Sequence, residues 1–355
     1  MNSQQIIQHR LHQQQLLHSR FTRPADLVRW MGCIQAQDYA GAKWAIGNRI
    51  KGTTDASIEK DFNDGKILRT HILRPTWHFV APEDIRWMLQ LTAPKIKAFN
   101  KRLHVKLGIS DKDLKRSNNI ITKALSDHKF LTRTALLPLL AKAKINTDDI
   151  RLGFLLMDAE LEGLICSGPR QGKQFTYALL SDRVPGTPAP GREEAIARLT
   201  LCYFSSRGPA TIQDFQWWSG LNIADIKTGL HLNKEQLSHT VANGQAYWFA
   251  AGAPANKRTV SSTFLLPSYD EYAVAYKDRC DILPAEHQST AGYGIFKPVV
   301  VVNGQVSGVW NRKESSHHIT VTTQLICPGK KTAVDTAAAA YAAFMGKKLQ
   351  SVTSI

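Results

Sequence analysis

Long apolar runs are missing from this chain. No stretch approaches the roughly 18 apolar residues that a spanning helix needs, so no segment reads as crossing a membrane. The first residues, MNSQQIIQHRLHQQQLLHSR, are polar and lack the apolar core of a signal peptide. The expected location is therefore the cytoplasm, in contact with the nucleoid if the partner is DNA. Cysteine is scarce and scattered. The five thiols, Cys33, Cys166, Cys202, Cys280 and Cys327, include no C-x-x-C pair, which argues against a disulfide framework or a structural zinc site and for buried thiols. Acidic residues are also few. Against 45 Lys and Arg stand 29 Asp and Glu, a formal net charge of +16.

A basic excess of that size points to a polyanionic partner, and nucleic acid is the usual one. The excess is uneven. Residues 95–151 hold 14 Lys and Arg against 5 Asp and Glu. The bland alternative, a soluble protein whose basic surface serves nothing, stays open on charge alone. At 355 residues, two or three structural units are expected.

Hydrophobic periodicity outlines a recurring order. A helix is expected over Ile6 to Ser19, and a second over Ala25 to Ile34, with Thr22 as N-cap and Pro24 at its start. A third spans Ala40 to Ile50, and a short one Asp55 to Asp64. KILRTHILRPTWHFV then reads as a hairpin turning at Leu73-Arg74-Pro75-Thr76. Glu83 to Leu107 forms a long basic helix with a break expected near Pro94. The order repeats in helices over Asp111 to Ser126, Arg133 to Ala143 and Ile150 to Glu162, followed by strands around the basic tip SGPRQGK. After the linker VPGTPAPG come helices over Glu193 to Ser205, from Gly208 through Trp218, and over Ile223 to Leu230. A hairpin over Leu237 to Ala250 turns at Asn243-Gly244. From Ser261 the chain is strand-rich, with an Asn303-Gly304 turn, and ends in an Ala-rich helix over Ala333 to Leu349.

Three groups of helices, each closed by a hairpin, give the order of a winged helix. The expected architecture is α+β and mainly helical, with three tandem winged-helix units and a β-rich module. The boundaries fall at 1–82, 83–183, 184–260 and 261–355. A winged helix can place a helix in a groove and its wing on the backbone, but such units also bind proteins.

Gln35-Ala36-Gln37 follows an apolar helical run. If the backbone is extended after Cys33, both amides point one way and offer several donors and acceptors. They could hold a water or a base edge, but they cannot serve as a carboxylate acid or base. They could equally cap the preceding helix.

The segment IQAQDYAGAKWAIGNRI, with RPTWHFV downstream, resembles the AlkZ-like family of bacterial winged-helix DNA glycosylases. The family marker is a Gln-hydrophobic-Gln motif, matched by Gln35-Ala36-Gln37. GLICSGPRQGKQFTYALL, LLPSYDEYAVAYKDR and VVVVNGQVSGVW resemble it as well, so the likeness covers essentially the whole chain. A sister branch carries an acidic residue in place of the second glutamine. Gln37 aligns this sequence with the AlkZ-like branch.

The resemblance implies a C-shaped molecule with a basic concave channel for duplex DNA and the glutamine pair inside it. It implies hydrolysis of the N-glycosidic bond of N7-alkylated purines, including bulky adducts and interstrand crosslinks. Gln35 and Gln37 would position water and stabilise the electron-poor sugar. Asp38 could polarise that water, although capping the next helix suits it better. Candidate DNA contacts are Lys43, Arg49, Arg74, His78, Arg170 and Lys173. His78 could instead be a packed strand residue, and Lys43 and Arg49 could simply be solvated. Trp217 and Trp218 fit core packing better than base stacking. Asp270, Tyr272 and Arg279 match the family pattern and suggest a structural ion pair. His317 and His318 lack partners at metal spacing, so no metal and no cofactor are expected. No lysine is placed for a Schiff base, so no lyase step is expected, and a channel within one chain points to a monomer. The rival readings are a non-catalytic winged-helix regulator and a protein-interaction scaffold.

Overall fold

The computed structural model describes residues 1–148, 150–184, 186, 189–242, 244–252, 261–283, 296–326 and 331–354. Asn243 of the expected hairpin turn, linker residues 185, 187 and 188, and Cys327 lie outside the described residues. The chain forms a mixed helix and sheet structure in two compact units, residues 1–60 with 196–355, and residues 61–195.

The first unit is organised by a five-stranded sheet. Its strands lie in the order Lys348–Ser354, His318–Leu325, Gln305–Glu314, Val299–Val302 and Thr263–Leu266. All neighbours are antiparallel except the first pair. The Asn303-Gly304 turn joins two of them, with both residues at positive φ as a tight hairpin requires. Gly304 is needed twice, because a Cβ there would sit 2.1 Å from Ile7 Cγ2 on the N-terminal helix. That helix, Ser3–Gln13, starts before the expected Ile6 because Asn2 and Gln5 form a capping box. It stops short of Ser19 where Gln15 takes φ +64. Its Ile7 and Leu11 join Leu266, Tyr272, Val299 and Val306 in one core.

The C-terminal helix, Lys331–Phe344, packs Tyr341 and Phe344 against Trp44, with ring centroids 5.0 and 5.1 Å apart. It ends before the expected Leu349. Gly346 at φ +64 turns the chain, and Lys348–Ser354 instead pairs in parallel with His318–Leu325. The helices Arg192–Arg207, Ile212–Ser219 and Ile223–Leu232 and the hairpin Leu237–Ala242 with Gln245–Ala250 follow the expected order. Trp218 is fully buried among Tyr203 and Phe215, as expected of a core residue, whereas Trp217 is exposed over part of its ring.

The second unit contains the long helix Pro82–Lys106, which runs through the exposed Pro94 without a break. Asp111–Asp127, Arg133–Lys142 and Arg151–Leu161 follow, the first two capped by Ser110 and Thr132. A sheet of Leu131–Thr132, Thr176–Leu179 and Ile165–Ser167 closes this group. Its core joins Ile121, Leu125, Leu136, Leu140, Leu152 and Ile165. The hairpin Leu68–Ile72 with Thr76–Val80 belongs to the same unit, and its His71 is paired with Glu160, both buried.

Two cysteines, Cys33 and Cys166, are buried, and burial pushes the Cys166 thiol up to about 12. Cys202 is half-buried and Cys280 is exposed, so the expectation of buried thiols holds only in part.

Candidate active site

The helix expected over Ala25 to Ile34 is shorter than its apolar pattern. It spans Pro24–Met31, with Arg23 and not Thr22 at the N-cap position, and it stops at Gly32, where φ is +70. Cys33–Gln35 is then an extended strand, all three residues buried. Glycine permits that reversal of φ at low cost, and the reversal converts a helix end into a strand.

The glutamines follow at once, in unequal surroundings. Gln35 is 6% exposed and Ala36 is fully buried, whereas Gln37 is exposed. One amide is therefore packed and the other lies at the surface. Asp38 begins the next helix, Tyr39–Gly47. Its Oδ1 accepts from the Gly41 N–H at 3.0 Å, an N-cap bond that satisfies a free helix donor. Gly41 is needed for that approach, because a Cβ there would lie 2.5 Å from Asp38 Oδ2.

A buried ion pair holds the strand from behind. Glu271 Oε1 accepts the Gln35 backbone N–H at 2.9 Å. Its Oε2 accepts Arg207 Nε and Nη2 at 3.0 and 2.7 Å and Trp218 Nε1 at 3.0 Å. Arg207 also donates to the Met31 and Cys33 carbonyls, at 2.7 and 2.9 Å, and stacks its guanidinium 4.3 Å from the Trp218 ring centre. Burial opposes the charge on Arg207, but Glu271, with smaller contributions from Cys33 and Cys202, raises the guanidinium pKa. Neither Arg207 nor Glu271 stood out in the sequence. The only signal was a carboxylate inside PSYDEYAVAY, with nothing nearby to mark its partner.

Several expected DNA contacts are structural instead. Arg49 is 2% exposed and donates to both oxygens of Asp270, to the Gln14 backbone and side chain, and to the Ala45 carbonyl. A guanidinium so engaged has nothing left for a phosphate. Asp270 thus finds its ion-pair partner in Arg49, while Arg279 Nε donates to the Ala273 carbonyl. Lys43 is 5% exposed, and its Nζ lies 2.8 Å from both Asp55 and Glu59. His78 has no exposed surface. Its Nδ1 faces the Thr76 carbonyl at 2.9 Å, so Nδ1 carries the proton. It is a packed strand residue and cannot touch a phosphate from there.

The remaining candidates in residues 61–195 are accessible. Arg74 is half-buried at the hairpin turn, beside Leu73 at φ +61. Lys173 is exposed at the tip of a tight turn closed by reciprocal Gln171–Gln174 backbone bonds of 3.0 Å. Arg170 is half-buried and folds its guanidinium 4.2 Å over the Phe175 ring. On the same ring lies Arg69 at 4.6 Å, which also sits 4.3 Å over Trp77. Sequence reasoning did not single out Arg69. The basic stretch 95–151 is exposed at Lys101, Arg102, Lys106, Lys112, Lys115 and Arg116, among others.

Arg312 is another cation that sequence reasoning missed. It lies on the strand Gln305–Glu314, with its Nε 2.9 Å from Glu314. Burial opposes its charge, but Tyr341, Glu314 and Asp38 together raise its pKa.

Known proteins resemble this chain over most of its length. An interstrand DNA cross-link repair glycosylase from Streptomyces sahachiroi is 26% identical over 322 residues, covering 84% of this chain and 85% of the relative. The solved structure of Streptomyces sahachiroi DNA glycosylase AlkZ superposes with a TM-score of 0.83 at 22% identity, covering 100% of both chains, and shares the fold. The AlkZ-like DNA glycosylase family model matches residues 28–344, which include the strand, both glutamines, Asp38 and the Arg207–Glu271 pair, and the chain belongs to that family.

Proposed function

We propose that this chain is a monofunctional DNA glycosylase that hydrolyses the N-glycosidic bond of cationic N7-alkylated purines in duplex DNA, bulky adducts and interstrand crosslinks among them. The observation that carries the reading is the Gln35–Asp38 segment. It sets a packed amide, an exposed amide and a half-buried carboxylate within four consecutive residues, between a strand end and a helix start, in a chain of this family. The Streptomyces relative, an interstrand DNA cross-link repair glycosylase, supports crosslinks as the substrate class.

The chemistry matches these side chains. An N7-alkylated purine carries a positive charge and leaves as a neutral base, so its departure needs no general acid. The sugar becomes electron-poor in the transition state. Amide oxygens of Gln35 and Gln37 stabilise that charge and hold the attacking water in line. Asp38 commits Oδ1 to its cap, and Oδ2 is the candidate to polarise the water. A lyase step would require a free amine, and the Lys43 amine on the same helix is engaged by two carboxylates.

The three helix-then-hairpin groups serve as winged helices on this reading. Arg74, Arg170 and Lys173 and the exposed cations of residues 95–151 contact phosphates, which position the duplex without reading its sequence.

Base release from a duplex carrying N7-methylguanine, and in parallel from a bulky N7-guanine crosslink, tests the proposal. Gln35→Ala/Gln37→Ala should lose release by roughly 100-fold, the scale of losing a preorganised polar group, with duplex binding retained. Asp38→Asn keeps the cap, so a slowed Asp38→Asn assigns the carboxylate to the water. No release by the wild type, with tight binding of plain duplex, would make the chain a non-catalytic DNA-binding protein.

A further inference from the structure

We propose that Glu271, held by Arg207, is a positioning residue that sets the orientation of Gln35. The inference rests on the assignment of Gln35 to the reaction.

In an extended strand, alternate residues turn their N–H and C=O groups to the same side, while side chains project perpendicular to that direction. The Cys33 carbonyl and the Gln35 N–H are such a pair. Arg207 Nη2 donates to the first at 2.9 Å, and Glu271 Oε1 accepts from the second at 2.9 Å. The ion pair thus offers this side of the strand one donor and one acceptor in register, as a neighbouring strand would. Fixing both groups fixes the roll of the strand about its axis, and with it the direction of the Gln35 side chain.

The carboxylate is divided for this task. Both Arg207 contacts and Trp218 Nε1 fall on Oε2, while Oε1 faces Gln35. An ordinary fork-to-fork pair would have used both oxygens for the guanidinium. Arg207 and Glu271 are fully buried, so no solvent motion loosens the arrangement. The third tether, Arg207 Nη1 to the Met31 carbonyl at 2.7 Å, holds the helix end immediately before Gly32. The strand that carries Gln35 is therefore held at residues 31, 33 and 35 by two side chains far away in the sequence.

Glu271→Asp withdraws the carboxylate by one methylene, so it can no longer reach both Arg207 and the Gln35 N–H. In single-turnover base release from an N7-methylguanine duplex, Glu271→Asp should be slower by about tenfold or more, as expected for a reacting group displaced by a fraction of an ångström. Affinity for the duplex should stay within about twofold, since no phosphate contact is removed. The decisive arm is the double variant. In a Gln35→Ala background, Glu271→Asp should change the rate by less than about twofold, because the group it positions is gone. A merely structural role would slow both backgrounds by the same factor and would overturn the proposal. Trp218→Phe removes one donor from Oε2 and keeps the ion pair. It provides the same comparison if Glu271→Asp melts below the assay temperature, with a smaller slowing again confined to the background that retains Gln35. A wild-type rate for a folded Glu271→Asp, beside a slow Gln35→Ala, would sink this inference alone. A wild-type rate for Gln35→Ala, or no release by the wild type, would sink the functional assignment beneath it.

Discussion

Arg49 grips Asp270 with two guanidinium nitrogens, each 2.8 Å from a different carboxylate oxygen, across 221 residues of sequence. Both side chains are 1% exposed. Asp270 Oδ1 also accepts the Tyr272 N–H at 2.9 Å, so the pair anchors the short helix Glu271–Val274. That helix begins with Glu271, and Arg49 stands just past the end of the helix that the Asp38 cap begins. The arginine that sequence placed on DNA thus ties the glutamine segment to the part of the chain that clamps it.

Arg49→Ala should destabilise the protein by about 3–5 kcal/mol, because it leaves Asp270 buried without a countercharge. Urea unfolding measures the loss. Arg49→Lys should recover little, since an ammonium cannot reproduce five directed donors. A full-stability Arg49→Ala with weakened duplex binding would return Arg49 to the DNA surface.

Charge reversal at Lys101, Arg102 and Lys106, all exposed on the long helix, should weaken binding to any duplex. If all three meet phosphates, the slope of log K against log salt should become shallower by about 3, near 0.9 per contact. Thermal stability should hardly move. An unchanged slope would take this helix out of the interface.

Asp158 provides a pH test. Burial raises its carboxyl above the ordinary value of 3.8, and the 2.9 Å bond from Asn118 and the Lys97 and His104 charges offset this only in part. The folded state therefore binds the proton more tightly than the unfolded one. Stability falls as pH rises from the unfolded value through the folded one, and the cost is fully present at neutral pH. Asp158→Asn keeps an acceptor for Asn118 and removes the charge. Its urea midpoint should exceed the wild-type midpoint at neutral pH, and the gap should close as the pH falls below 3.8. A gap independent of pH would mean that packing, and not ionisation, sets the difference.

Local rules made much of the fold legible. Ser110, Thr132 and Thr211 cap helices where apolar periodicity begins, and Asn303-Gly304 makes the hairpin turn its dipeptide signals. Local rules failed where long-range partners decide. Apolar periodicity carried the second helix to Ile34, but the Cys33 and Gln35 backbone is paired with Arg207 and Glu271, and those bonds favour a strand. Alanine-rich propensity carried the last helix to Leu349, but an open sheet edge at His318–Leu325 takes up that segment as a strand. Propensity is a weak prior, and an unpaired edge or a buried ion pair outweighs it.

The candidate site divides in the same way. The sequence by itself determined the amide pair, the Asp38 cap, the concentration of positive charge in residues 95–151 and the family, because each is a property of neighbouring residues or of overall composition. Only the tertiary structure decided that Gln35 is packed while Gln37 is open, and that Arg49, Lys43 and His78 serve the interior. It alone paired Glu271 with Arg207 behind the strand. Burial depends on partners that lie far off along the chain, and a charged side chain looks the same in sequence whether it meets a carboxylate or a phosphate.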